Sequence, residues 1–62
     1  METENETITD QTGKQYKTVT VTGAIDEVER VHKIITKTGL RETSKFYYEG
    51  QLTITYLQEV NG

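Results

Sequence analysis

The stretch from Lys45 to Val60, KFYYEGQLTITYLQEV, constrains this chain more than any other. It is the densest apolar run, and it carries a turn signal, Glu49-Gly50, beside the alternating Leu52-Thr53-Ile54-Thr55-Tyr56. Alternation of β-branched and aromatic residues with threonine marks a strand with one buried face. The run therefore predicts a β-hairpin whose second strand lies at the centre of a small sheet.

The register of that hairpin is argued from parity. A two-residue Glu49-Gly50 turn sets Tyr47 opposite Leu52 and turns Phe46 and Tyr48 away from Leu52, Ile54 and Tyr56. A three-residue loop, Tyr48-Glu49-Gly50, instead sets Phe46 opposite Leu52 on the core side. It also puts Gly50 at the left-handed position of a type I turn with a bulge. A slip of one residue turns every side chain to the other face. Burying Phe46 favours the three-residue loop, which leaves Tyr47 pointing outward.

Two further elements precede the hairpin. Tyr16 to Thr22 alternates and forms a first strand, with Val19 and Val21 facing the core. Ile25, Val28, Val31 and Ile35 recur at helical spacing, with Ile34 on the flank, which predicts a helix over 25–38. Asp26 and Glu29 fit a capping box at its start, and Gly39 fits a left-handed stop at its end. Arg41 to Tyr48 and Leu52 to Val60 supply the other strands. The fold class that follows is α+β, with the order strand, helix, strand, strand. Its three-stranded antiparallel sheet has the spatial order 1-3-2 and carries the helix on one face. The arrangement is a split β-α-β unit, half of a ferredoxin-like domain in geometry.

Composition bounds the rest. At 62 residues the chain is a single domain with a thin stability margin, and small folds lean on disulfides, metals or oligomer interfaces. It has no cysteine and one histidine, which removes disulfides, thiolate sites and His-rich metal sites and leaves oligomerisation. A homodimer is expected, through the edge of the first strand or the outer sheet face. Glu2, Glu4, Glu6 and Asp10 put four negative side chains in the first ten residues, with no positive one. Residues 1–12 read as a flexible acidic arm, and 13–62 as the domain. Beyond the first ten residues, seven Lys and Arg stand against six Asp and Glu, so the domain carries no strong phosphate-binding footprint. No apolar run reaches membrane-spanning length, and the first residues are acidic where a signal peptide starts basic. A cytoplasmic protein is expected.

No catalytic, cofactor or metal residues are assigned. His32 is the one side chain whose ordinary pKa lies near neutrality, and it sits beside the apolar stripe as a boundary residue. A Ser44–His32 pair lacks an orienting carboxylate in the spacing. Asp26, Glu27 and Glu29 are accounted for by the helix dipole. The expectation is a non-enzymatic protein–protein interaction module. Small, acidic, cysteine-free chains of this kind occur in phage and mobile elements, where they bind and inhibit host proteins. The expected partner-binding residues are Tyr16, Thr18, Thr20, Lys45, Tyr47, Thr55 and Leu57, all assigned to the outer sheet face. The alternative is weak binding of single-stranded nucleic acid, with Tyr16 and Tyr47 under bases and Lys14, Lys17, Lys45 and Arg41 near phosphates.

Overall fold

The computed structural model describes residues 1–60. The elements are β1 (Glu2–Thr9), β2 (Gln15–Ala24), α1 (Ile25–Ile35), a 3-10 turn (Thr36–Thr38), β3 (Arg41–Tyr48) and β4 (Gln51–Val60). The strands form one antiparallel sheet in the order β1-β2-β4-β3. The chain is thus α+β with one helix and an antiparallel sheet, and the strands β2, β4 and β3 take the expected order. No helix among the described residues is long and apolar enough to cross a membrane.

The sheet has four strands rather than three. Residues 2–9, assigned to an arm, pair with β2 along their whole length, from Glu2↔Thr22 to Thr9↔Gln15. Every residue of β1 is exposed. The strand contributes no core side chain, so hydrophobic patterning carries no trace of it. What holds it is the backbone ladder and the loop that follows. This strand also covers the first-strand edge that was expected to be open for a second copy. The sheet's free edges are β1 and β3.

The core lies between α1 and the two central strands. Val19 and Val21 of β2, Val28 of α1, and Leu52, Ile54 and Tyr56 of β4 are buried together, with Ile25, Ile35 and Leu40 packed around them. Burying an aliphatic side chain of this size is worth about 1.5–3 kcal/mol, so a handful of residues supplies most of the driving force. The helix begins at Ile25 after Ala24, without the expected Asp26–Glu29 capping box and with no side-chain capping bond. Asp26 and Glu27 still sit in the first turn, where the dipole favours them. Regular α-helix ends at Ile35, and the 3-10 turn carries the chain to Gly39, whose φ of 91° is the left-handed stop that was expected.

The hairpin uses the two-residue turn. Glu49 and Gly50 have φ of 47° and 77°, the signature of a type I′ turn. Tyr48 pairs with Gln51, Tyr47 with Leu52 and Phe46 with Thr53. The three-residue loop is therefore overturned, and Phe46 lies outside the core at 54% exposure. The three-residue loop is favoured only if α1 and the core cover one face of β3. They do not, because α1 packs on β2 and β4 and every residue of β3 is exposed. With no burial to gain at Phe46, the turn type whose twist matches the sheet prevails. Beyond Ser44 the register shifts between Glu42 and Ser44, leaving Thr43 as a bulge.

Candidate protein-binding face

Residues directly opposite one another in an antiparallel ladder share a face. Since Val19, Val21, Leu52, Ile54 and Tyr56 face the helix, their neighbours along each strand face outward. Reading the register across the sheet gives the rows of the outer face. Glu2, Thr22, Thr53 and Phe46 form one row; Glu4, Thr20, Thr55 and Ser44 the next; Glu6, Thr18, Leu57 and Arg41 a third. Ile8, Tyr16 and Glu59 close the end. The face thus has an acidic rim on β1, threonines down the middle and two exposed aromatic residues, Phe46 and Tyr48, on β3.

The structure places Tyr16, Thr18, Thr20, Thr55 and Leu57 on this face as expected and brings them together. Thr20 Oγ1 lies 3.4 Å from Thr55 Oγ1, and Thr22 Oγ1 3.2 Å from Thr53 Oγ1. The Thr18 hydroxyl donates to the Glu6 carbonyl at 3.2 Å. These pairings tie the threonine hydroxyls of neighbouring strands to one another and to the backbone. Glu4, Asn5, Glu6, Thr18 and Thr20 line a shallow depression of about 370 Å³ at the acidic rim.

Lys45 and Tyr47 are not on this face. They lie opposite Ile54 and Leu52, on the helix side. There the Lys45 ammonium stands 5.7 Å from the centre of the Tyr47 ring. Their misplacement follows from the hairpin parity. Phe46 and Tyr48 take their place, and Glu2, Glu4 and Glu6 join them. The signal for the glutamates was present as a period of two. Glu alternates with Thr or Asn through Glu2-Thr3-Glu4-Asn5-Glu6-Thr7, which is strand spacing carried by polar side chains.

Asp10 sets the β1–β2 loop that brings the rim to the sheet. Its Oδ1 accepts from the Thr12 hydroxyl at 2.6 Å, the Thr12 amide at 2.9 Å and the Lys14 amide at 3.0 Å, while Oδ2 accepts from the Tyr16 hydroxyl at 3.3 Å. The bond from the Thr12 hydroxyl, with the Lys14 and Thr12 amides and Tyr16 adding to it, holds the carboxyl below its ordinary pKa against some desolvation. A depressed folded-state pKa stabilises the hairpin at pH above the ordinary value, and that stabilisation disappears as pH falls through the folded-state pKa. In an acid titration followed by NMR, the Thr12 and Lys14 amide shifts are expected to report a midpoint below 3.8. An Asp10→Asn variant is expected to abolish that transition. A midpoint at or above the ordinary value contradicts the assignment. Lys14 reaches across to Glu59 at 2.6 Å, and that contact raises its pKa.

His32 is a boundary residue with partners that spacing did not reveal. Its Nδ1 lies 2.7 Å from the Tyr56 hydroxyl, its ring stacks on Tyr56 at 5.7 Å, and its Nε2 is 3.8 Å from a Glu42 carboxylate oxygen. Burial, then the charge of Glu42, raises the pKa of the Tyr56 phenol. With Tyr56 fully buried, its hydroxyl is out of a substrate's reach. The bond to His32 satisfies a core hydroxyl, and no buried side-chain polar atom among the described residues lacks a partner. Ser44 lies on the opposite face from His32, so the pair weighed from the sequence does not form.

Compared with known proteins, the chain finds no counterpart: no family model, no curated protein and no solved structure matches it.

Proposed function

We propose that this chain is a non-enzymatic protein-binding module whose outer sheet face receives a partner with a basic surface. The observation that carries the reading is the row of Glu2, Glu4 and Glu6 along one rim of an uncovered, threonine-lined face. Alternate residues of a strand stand about 6.8 Å apart, so the carboxylates form a regular line of charge rather than a diffuse tail. Such a line steers a positively charged partner and fixes its register. Thr18, Thr20 and Thr55, with Leu57 and Tyr16, supply the apolar and hydroxyl surface beside it. A partner whose basic surface otherwise holds a phosphate backbone would be blocked by this row, which is the inhibitory role the composition suggested.

The nucleic-acid reading has less support. Lys17, Lys45 and Tyr47 face the helix side, Lys14 is paired with Glu59, and three carboxylates share the face on which phosphates would have to lie.

Capture of partners from native cytosol on the immobilised chain, followed by titration of the captured protein, tests the proposal. A Glu2→Gln, Glu4→Gln, Glu6→Gln variant is expected to bind about tenfold more weakly or worse, about 1.4 kcal/mol, and to lose most of the salt dependence. Unchanged affinity would sink the reading. Tight, salt-sensitive binding of a single-stranded oligonucleotide by the unmodified chain would favour the alternative.

A further inference from the structure

The two edges of the sheet are built differently. On β1, the residues whose backbone groups point into the open are Thr3, Asn5, Thr7 and Thr9. This follows because the Asp10 amide bonds the Lys14 carbonyl at 2.9 Å, and hydrogen-bonded and free positions alternate from there. Pairing of two β1 strands about Glu4, Asn5 or Glu6 sets glutamate opposite glutamate on the outer face. Like charges directly opposite are destabilising, and charged side chains are a common protection of free edges. On the β3 edge the guards are Lys45 and the Thr43 bulge, and they leave the stretch beside the turn open. It carries three consecutive exposed aromatic residues, Phe46 at 54%, Tyr47 at 56% and Tyr48 at 68% exposure.

We propose that two copies of this chain join through their β3 edges, antiparallel, about a two-fold axis at Phe46. The positions are set by the turn. The pair flanking a two-residue type I′ turn, Tyr48↔Gln51, is hydrogen-bonded, so Phe46 and Ser44 also bond toward β4. The N–H and C=O of Tyr47 and Lys45 therefore point into the open. A ladder centred on Phe46 sets the free backbone groups of Lys45 against those of the second copy's Tyr47, and the reverse. Side chains agree with this register. Phe46 meets Phe46 and Ser44 meets Tyr48 on the outer face. On the helix side each Lys45 meets a Tyr47, the kind of ammonium–ring contact that these two residues already make within one copy. The neighbouring in-face registers fail. One centred on Lys45 opposes two ammonium groups, and one centred on Tyr47 runs the ladder into the turn at Glu49. One centred on Ser44 runs into the Thr43 bulge.

The result is one continuous sheet, twice as wide, with both helices on the same side. It moves Phe46 and Tyr48 of both copies to the middle of the outer face and keeps an acidic rim at each end. The interface is short, so association is weak and depends on concentration. It does not depend on the proposed function.

Sedimentation equilibrium of the full chain tests it. The mean mass is expected to rise from 7.1 kDa toward twice that value as concentration approaches that of solution NMR. Phe46→Lys and Phe46→Glu, which change an exposed residue, are each expected to weaken dimerisation about tenfold or more through like-charge opposition. An equimolar mixture of the two variants is expected to recover a dimer. Tyr47→Pro removes an outward N–H that the fold does not use, and a folded monomer is expected. A wild-type chain that stays at monomer mass throughout overturns the proposal. So does a dimer that survives Phe46→Lys or Tyr47→Pro, because it uses another surface. A mixture of the charge variants that remains monomeric overturns the Phe46 register.

Discussion

Tyr56→Ala is expected to leave the chain unfolded in native buffer, whereas Tyr56→Phe is expected to fold. Tyr56 is the largest fully buried side chain. Removing a buried aromatic ring costs about 3–5 kcal/mol through lost transfer energy and the cavity left behind. In a chain this short, without disulfide or metal, a single core rarely supplies more than about 3–5 kcal/mol, so one such cavity consumes most of it. The phenylalanine variant keeps the ring and loses only the bond to His32 Nδ1. His32 is partly exposed and takes water instead, so the cost is about 0.5–1.5 kcal/mol. Urea unfolding followed by circular dichroism separates the two. Equal losses would mean that the ring does not organise the core. The phenol adds an alkaline signature. Its folded-state pKa is raised, first by burial and then by Glu42, so its contribution is complete below the ordinary value of 10.0 and falls as pH rises through the folded-state value. The phenylalanine variant is expected to lack that part of the alkaline decline.

Val28→Asp is expected to abolish folding just as completely, by a different route. Val28 is the one buried residue of α1, and it sits between Val19, Val21, Leu52, Ile54 and Tyr56. A carboxylate there is desolvated with no cation against it, which costs several kcal/mol or forces proton uptake. The helix has no second anchor of that quality, so it leaves the sheet, and the sheet's inner face is then open to water. Ile34→Asp is the control. That residue is 63% exposed, and the change is expected to cost no more than about 1 kcal/mol, from the helix dipole and helix propensity in the last turn. A thermal melt in which both variants behave alike would show that α1 is not held at Val28.

These sensitivities trace which parts of the fold can be read from the residues. Val19 and Val21, the helical stripe through Val28, and Leu52-Ile54-Tyr56 announce their periods because each period is written in buried side chains. The left-handed Gly39 is legible for a related reason, since few other residues tolerate that backbone. β1 leaves no such mark. Its glutamates and threonines have the right spacing, but all of them are exposed, and they read equally well as an unstructured polar run. The same holds for the bulge at Thr43 and for the meeting of Glu42, His32 and Tyr56. Each depends on which strands lie side by side.

By itself, then, the chain determined its class, its helix, its two central strands and the inward-facing residues of each. Periodic burial is a local property of a sequence. Tertiary structure decided the rest. A helix that covers only β2 and β4 left β3 free of any demand to bury Phe46, so the twist of the Glu49-Gly50 turn set the register and sent Tyr47 to the helix side. Backbone bonds offered by the edge of β2 drew residues 2–9 into the sheet and lined up Glu2, Glu4 and Glu6 on its outer rim. Both outcomes rest on pairing between distant segments, and neither leaves a hydrophobic pattern in the segments themselves.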